Sequence, residues 1–214
     1  MKIGVIIPIK KMSNSKQRLS TILRRDQRIE LSKCMFEDIC EVLINSRYFS
    51  EILVVSPENY VQKYTKTTKI NFLKENNENG VNSAVELGNK YFINKDFDAT
   101  IVIPADIPLL NIDILKKLIN NIFDHEIIIS PSVNKNGTNI LFRRPPDIIK
   151  TSYDEDSYYN HLNNVKKKNL KYYIIENESL MLDLDLPQDL KTIYKKLKSS
   201  RTKKVIEKFG LEIL

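Results

Sequence analysis

The chain has 214 residues, 42% hydrophobic and 29% charged, with 34 Lys and Arg against 27 Asp and Glu for a net charge of +7. That is apolar matter enough for one full core, in one α/β domain with at most a small appendage. No apolar run approaches the roughly 18 residues of a spanning helix, so a membrane partner is not expected.

The start reads as a strand, Ile3 to Pro8, too short in its apolar run for a signal peptide. Ile9 to Leu19 follows as a loop carrying Lys10, Lys11, Lys16 and Arg18. A cationic loop at the carboxyl end of a strand, with free backbone N–H groups, is a seat for a triphosphate. It is neither a Walker A loop nor a Gly-x-Gly-x-x-Gly turn, having no glycine. A helix is predicted over 26–45, with Leu31, Met35, Ile39, Val42 and Leu43 on one face. Cys34 and Cys40 lie six apart in this pattern and read as buried small hydrophobes; a reducing, cytoplasmic setting is expected.

Glu51 to Ser56 is the second strand, closed by Ser56-Pro57-Glu58-Asn59. A short helix over 59–66 and a third strand over 70–73 follow. Gly80 permits a turn, and Asn82 is the expected cap of a helix with Ala84, Val85, Gly88, Tyr91 and Phe92 on one face.

The run Ile101-Val102-Ile103 is short and β-branched, as in a buried parallel strand. It feeds Pro104-Ala105-Asp106-Ile107-Pro108. Ligands of open α/β sheets sit beyond such strand ends. Two prolines stiffen the turn around Asp106, whose carboxylate suits a hard cation such as Mg2+ shared with phosphate oxygens. Asn111 is the expected cap of a helix with Ile114, Leu115, Leu118, Ile119 and Ile122 inward. Another strand spans 126–130. This alternation predicts a three-layer fold, a mostly parallel central sheet with helices on both faces.

The rhythm then changes. Asn136-Gly137 signals a turn before a short strand from Thr138 to Phe142. Tyr153 to His161 opens a helix with Ser157 in its first turn, where N–H groups and a hydroxyl can meet an anion. His125 and His161 are the two histidines, and neither sits where a general base is expected. A strand spans 171–175. In Leu182-Asp183-Leu184-Asp185-Leu186-Pro187, alternation puts both acids on one side, and Pro187 suits a first helical position. Two such acids repel unless a cation lies between them. A metal shared with Asp106 would relieve this; a solvated pair with one acid capping the helix is the alternative. The expected division is a single domain over 1–198 and a C-terminal helical tail over 199–214, a peripheral arm through which a homodimer could form. Much of the positive excess lies between Lys191 and Lys208, a solvated face. Basic and aromatic residues do not interleave as in RNA-binding modules, so nucleic acid is not the expected partner.

Three carboxylates at sheet edges opposite a cationic loop suggest metal-assisted attack on a phosphate. If the nucleophile is an anionic phosphate oxygen, no proton is removed, and no histidine base is required. Alignment and charge neutralisation then suffice, with Lys10 and Lys16 neutralising the triphosphate and the leaving pyrophosphate.

Taken together, the motifs resemble the CofC family, guanylyltransferases of coenzyme F-420 biosynthesis within the nucleotide-diphospho-sugar transferase superfamily. They are Pro8-x-Lys10 with Lys16-x-Arg18-Leu19, Gly80-Val81-Asn82-Ser83-Ala84, Pro104-Ala105-Asp106-Ile107-Pro108, Gly137-Thr138-Asn139-x-Leu141 with Pro145-Pro146, Ser157-Tyr158-x-x-His161, and Leu182-Asp183-Leu184-Asp185-Leu186-Pro187-x-Asp189-Leu190. The resemblance implies transfer of GMP from GTP to 2-phospho-L-lactate or phosphoenolpyruvate, with release of pyrophosphate. It implies that Lys10, Lys16, Arg18, Asn82 and Pro104 serve the nucleotide. Lys10, Lys16 and Asp106 would be catalytic. Asp106 with Asp183 or Asp185 would hold Mg2+, and Thr138 and Ser157 would meet the acceptor. One departure stands out: the family pattern has glycines where this chain has Asp154 and Asp156. Two other readings compete. One is another nucleotidyltransferase of the superfamily, acting on a sugar phosphate or a molybdopterin, which would normally show a glycine-rich first loop. The other is a non-catalytic basic module that binds nucleic acid.

Overall fold

The computed structural model describes residues 1–76 and 80–210. Its centre is a seven-stranded sheet in the order β3-β2-β1-β4-β6-β5-β7. The strands are β1 (Ile3–Pro8), β2 (Glu51–Ser56), β3 (Asn71–Lys74), β4 (Ala99–Val102), β5 (Ile127–Pro131), β6 (Thr138–Arg143) and β7 (Tyr172–Ile174). All neighbours are parallel except β6, which runs antiparallel to both β4 and β5. A reversed strand presents its first residues at the rim where its neighbours present their last. Thr138 and Asn139 therefore stand at the same edge as the turn that carries Asp106. The Asn-Gly turn signal placed this strand but not its insertion between β4 and β5.

The helices are α1 (Arg25–Ser46), α2 (Asn59–Thr65), α3 (Gly80–Ile93), α4 (Ile112–Ile119), α5 (Ser157–Lys167), α6 (Glu178–Met181), α7 (Pro187–Lys196) and α8 (Arg201–Lys208). Period-2 alternation splits the strand side chains between two cores. Val5, Ile7, Val54 and Ile101 face α1 and α4, packing with Phe36, Ile39, Leu115 and Leu118. Ile6, Leu53, Val55 and Val102 face α3 and α5, packing with Val85, Phe92 and Val165. Gly88 lets α3 approach closely, since a Cβ there would stand 2.8 Å from Ile6 Cγ2. Among the described residues no helix is long and apolar enough to cross a membrane.

Asn111 caps α4 as expected, accepting from the Ile114 N–H at 3.1 Å. Asn82 does not cap α3. The helix already begins at Gly80, and the Asn82 side chain instead accepts from Tyr153 N–H at 2.7 Å and donates to Asp154 Oδ2 at 3.0 Å. Part of the preceding run, 77–79, lies outside the described residues, as does 211–214 of the tail. The tail helix α8 lies on α1. Val205 and Ile206 join Leu31, Met35, Leu190 and Ile193 in a third core. Asp38 Oδ2 accepts from both the backbone N–H and the hydroxyl of Thr202, at 2.8 and 2.7 Å. The short helix α6, a single turn, was not foreseen.

Candidate active site

The first loop is more ordered than a free-standing phosphate loop. It folds into 3-10 turns at Met12–Asn14 and Gln17–Leu19. Several of its N–H groups are consumed: Ser15 and Leu19 donate within these turns, and Met12 donates to Glu58 Oε1 at 2.7 Å. Arg28 from α1 holds the loop by donating to the Ser15 carbonyl at 3.1 Å. Lys16 sits between the two turns in the left-handed region, φ 53 and ψ 38, a conformation that is costly for a residue with a side chain. That backbone geometry turns its side chain inward.

There the Lys16 ammonium donates to Asp106 Oδ2 at 2.8 Å and to Asp185 Oδ1 at 2.7 Å. Two carboxylates far apart in sequence thus meet on one buried cation. Backbone contacts bring them there. After β4, the Ile103 N–H donates to the Ile6 carbonyl, holding the chain against β1. The Asp106 carbonyl accepts from the Leu184 N–H at 2.9 Å, which pins the 183–185 segment beside it. Asp189 accepts from the N–H groups of Asp185 and Leu186, at 3.1 and 2.6 Å, and so caps α7. Neither Asp183 nor Asp185 is therefore used as that cap. Asn139 of β6 donates to the Leu180 and Met181 carbonyls, each at 2.9 Å, and to Asp183 Oδ1 at 3.4 Å. Its role was not legible in the sequence.

The electrostatics follow from this crowding. Burial opposes the Lys16 charge, but Asp106 and Asp185 outweigh it and hold the ammonium protonated. Burial also works against the Asp185 charge, and Lys16 overcomes it, so the carboxyl sits below its ordinary range. Asp183 forms no ion pair among the described residues, and Lys16 offsets its charge only in part. Burial first, then the neighbouring Asp106 and Asp185 charges, push it up to about 6. Its carboxylate is thus a local excess of negative charge, as expected where a further cation is to be received.

These groups open onto a cavity of about 1010 Å3. Lys10, Lys16, Arg18, Pro104, Asp106, Asp183 and Asp185 line it. So do Thr138 and Ser157, with Asp154 and Asp156. Every expected site residue except Asn82 lines this space. The two aspartates at the family's glycine positions differ in what they do. Asp156 adopts φ 54, the left-handed region that glycine enters freely. Asp154 is the acid that engages Asn82.

Around Thr138 and Ser157 the wall is built from hydroxyls and a histidine. The Thr138 N–H donates to Ser157 Oγ at 2.8 Å, and Thr138 Oγ1 lies 3.0 Å from His161 Nδ1. The Ser152 N–H donates to His161 Nε2 at 2.8 Å. His161 is fully buried and belongs to the site's support. The signal was present in the spacing: four residues after Ser157, one helical turn on, it shares that residue's face.

Among the described residues no group of three or more His, Cys, Asp or Glu side chains could hold a metal ion. A nucleotide-borne Mg2+ does not require one, since it takes one or two carboxylates and fills its shell with phosphate oxygens and water. The oxygen donors of Asp106 with one of Asp183 and Asp185 are of the kind such an ion takes.

The family model described as "Guanylyl transferase CofC like" matches residues 3–214. A 2-phospho-L-lactate guanylyltransferase of Methanocaldococcus jannaschii is 30% identical over 214 residues, covering 100% of this chain and 92% of that protein. One from Methanosphaera stadtmanae is 35% identical over 193 residues, covering 88% of this chain and 82% of its own. Among solved structures, a Desulfovibrio desulfuricans G20 protein classed as a candidate nucleotide-diphospho-sugar transferase superposes with a TM-score of 0.80 at 16% identity, covering 98% of this chain and 96% of its own. A cytidylyltransferase from Leptospira borgpetersenii gives 0.61 at 15% identity, covering 98% and 94%. The fold is that of the nucleotide-diphospho-sugar transferases, and by the family match along nearly its whole length the chain belongs to the CofC family of guanylyltransferases.

Proposed function

We propose that this protein transfers GMP from GTP to 2-phospho-L-lactate, with release of pyrophosphate. The reading rests on CofC membership, on the names its relatives carry, and on one observation above all. A cation flanked by Asp106 and Asp185 at the carboxyl rim of the sheet shares a single cavity with the Thr138 and Ser157 hydroxyls.

In the reaction an anionic oxygen of the acceptor's phosphate attacks the α-phosphorus of GTP. The new O–Pα bond forms as the bond from Pα to the bridging oxygen breaks, and that oxygen leaves on pyrophosphate. No proton is transferred, so the site's task is to hold two anions together and in line. Lys10 and Arg18 neutralise the triphosphate from the first loop. Lys16 offsets the charge of Asp106 and Asp185, which would otherwise repel the phosphates. Thr138 and Ser157 fix the acceptor so that its phosphate faces the nucleotide. Asp106 with Asp183 or Asp185 would hold Mg2+, which when bound adds positive charge beside the reacting phosphates.

Phosphoenolpyruvate is the second acceptor to consider, since it offers the same carboxylate and phosphate on a three-carbon frame. Asp154 and Asp156, where the family pattern has glycine, add negative charge beside that frame. The test is pyrophosphate release with Mg2+ and each of the four nucleoside triphosphates, run with 2-phospho-L-lactate, with phosphoenolpyruvate and with a sugar 1-phosphate. Turnover with GTP and 2-phospho-L-lactate is the expected result. Turnover only with a sugar 1-phosphate would transfer the chain to the superfamily's other chemistry.

A further inference from the structure

We infer that His161 is a positioning residue that sets the direction of the Thr138 hydroxyl, so that Thr138 and Ser157 together present two O–H donors to the anionic acceptor. The inference rests on the acceptor side proposed above. His161 itself does not line the cavity.

The argument is one of hydrogen-bond accounting. A backbone N–H can only donate. The Ser152 N–H meets His161 Nε2 at 2.8 Å, so that nitrogen carries a lone pair and no proton. The proton of a neutral imidazole must then sit on Nδ1. Nδ1 faces Thr138 Oγ1 at 3.0 Å, so the ring donates and the hydroxyl oxygen accepts. The threonine's own proton is left to point elsewhere. Ser157 is treated the same way by a different donor, because its Oγ accepts from the Thr138 N–H at 2.8 Å. Among the described residues neither hydroxyl proton is given to a protein acceptor. Both side chains line the cavity, and both are largely buried, at 8% and 3% exposure. Two adjacent hydroxyls with their lone pairs engaged and their protons free form a donor pair, which suits carboxylate or phosphate oxygens.

The surroundings hold this arrangement. The Tyr153 ring packs edge-on against the imidazole with centroids 5.1 Å apart, fixing its plane. Burial, with the nearby Arg143 charge adding to it, keeps the ring neutral by lowering its pKa to about 4. A protonated ring would lose the lone pair that the Ser152 N–H requires.

Two near-isosteric substitutions separate the ring's two contacts. In His161→Asn the amide N–H can occupy the Nδ1 place and still donate to Thr138. In His161→Gln the side-chain oxygen can reach the Ser152 N–H, but nothing donates to Thr138. With GTP and 2-phospho-L-lactate as substrates, the glutamine variant should raise the acceptor KM by about 10-fold or more, the loss of one well-aligned hydrogen bond to a charged group. The asparagine variant should stay within about threefold, and GTP KM should be unchanged in both. Thr138→Val should raise the acceptor KM as much as His161→Gln, and the double variant no further. Ring 15N shifts of the ligand-free protein should report the Nδ1–H tautomer. Equal KM changes in the asparagine and glutamine variants, or no change in either, would overturn the inference. So would an Nε2–H tautomer, whatever the activity. An unchanged acceptor KM in Thr138→Val would instead overturn the acceptor-side reading, and this inference with it.

Discussion

Asp183 is held as a charge against both burial and its neighbours, and replacing it should make the ligand-free protein more stable. Its carboxyl is raised from 3.8 to about 6 by burial and by Asp106 and Asp185. At about 1.36 kcal/mol per pKa unit, that displacement corresponds to a ceiling of about 3 kcal/mol at pH 7.5. Asp183 is only partly buried, so solvent screening reduces the expected gain to about 1–2 kcal/mol. Asp183→Asn keeps an oxygen for Asn139 and removes the charge. The melting midpoint, measured without divalent cation, should rise by roughly 2–8 °C for a chain of this size. The sign is set by linkage. A raised folded-state pKa favours the folded protein below the unfolded value near 3.8, and this advantage is lost as pH climbs through about 6. The gap between variant and parent should therefore be full at pH 7.5 and shrink to about a third at pH 4.5. Turnover should fall in the same variant that gains stability. A midpoint that is unchanged, lowered or offset equally at both pH values would refute the picture of a cluster carrying excess negative charge.

Other outcomes can be checked more simply. Because Asp156 already adopts φ 54, Asp156→Gly should be neutral or stabilising by up to about 1 kcal/mol in urea unfolding, whereas Asp156→Val should cost at least about 1 kcal/mol. Asp154→Asn can retain a bond to Asn82 while removing a charge from the cavity wall, and should lower the acceptor KM by at least about twofold. Ile206 is fully buried in the third core, so Ile206→Ala should cost about 2–4 kcal/mol and lower the melting midpoint markedly. A change within about 0.5 kcal/mol would mean that α8 is not part of the folded unit.

Much of this architecture is written in local patterns. The β-branched runs marked β1, β2 and β4, and the Pro-Ala-Asp-Ile-Pro turn placed Asp106 at the sheet's rim. Helical spacing identified the inner faces of α1 and α4. What was hidden depends on contacts across long stretches of chain. Lys16 lies 90 residues from Asp106 and 169 from Asp185, and no periodicity announces that one ammonium will join them. Asn82 looked like a cap because caps are local, but its partners are 71 and 72 residues away. The reversal of β6 depends on which strands it joins, and only that reversal brings Thr138 to the working edge. His161 was passed over because a histidine is sought as a base, whereas the proposed chemistry has no proton to remove.

Acids separated in sequence converge with a lysine-bearing loop, and the proposed nucleotidyl transfer depends on that convergence. The most direct measurement is pyrophosphate release from GTP and 2-phospho-L-lactate by Asp106→Asn, with the melting midpoint as control for folding. The site described here predicts a rate at least about 100-fold lower with the fold intact. A folded variant turning over near the parent rate would contradict it.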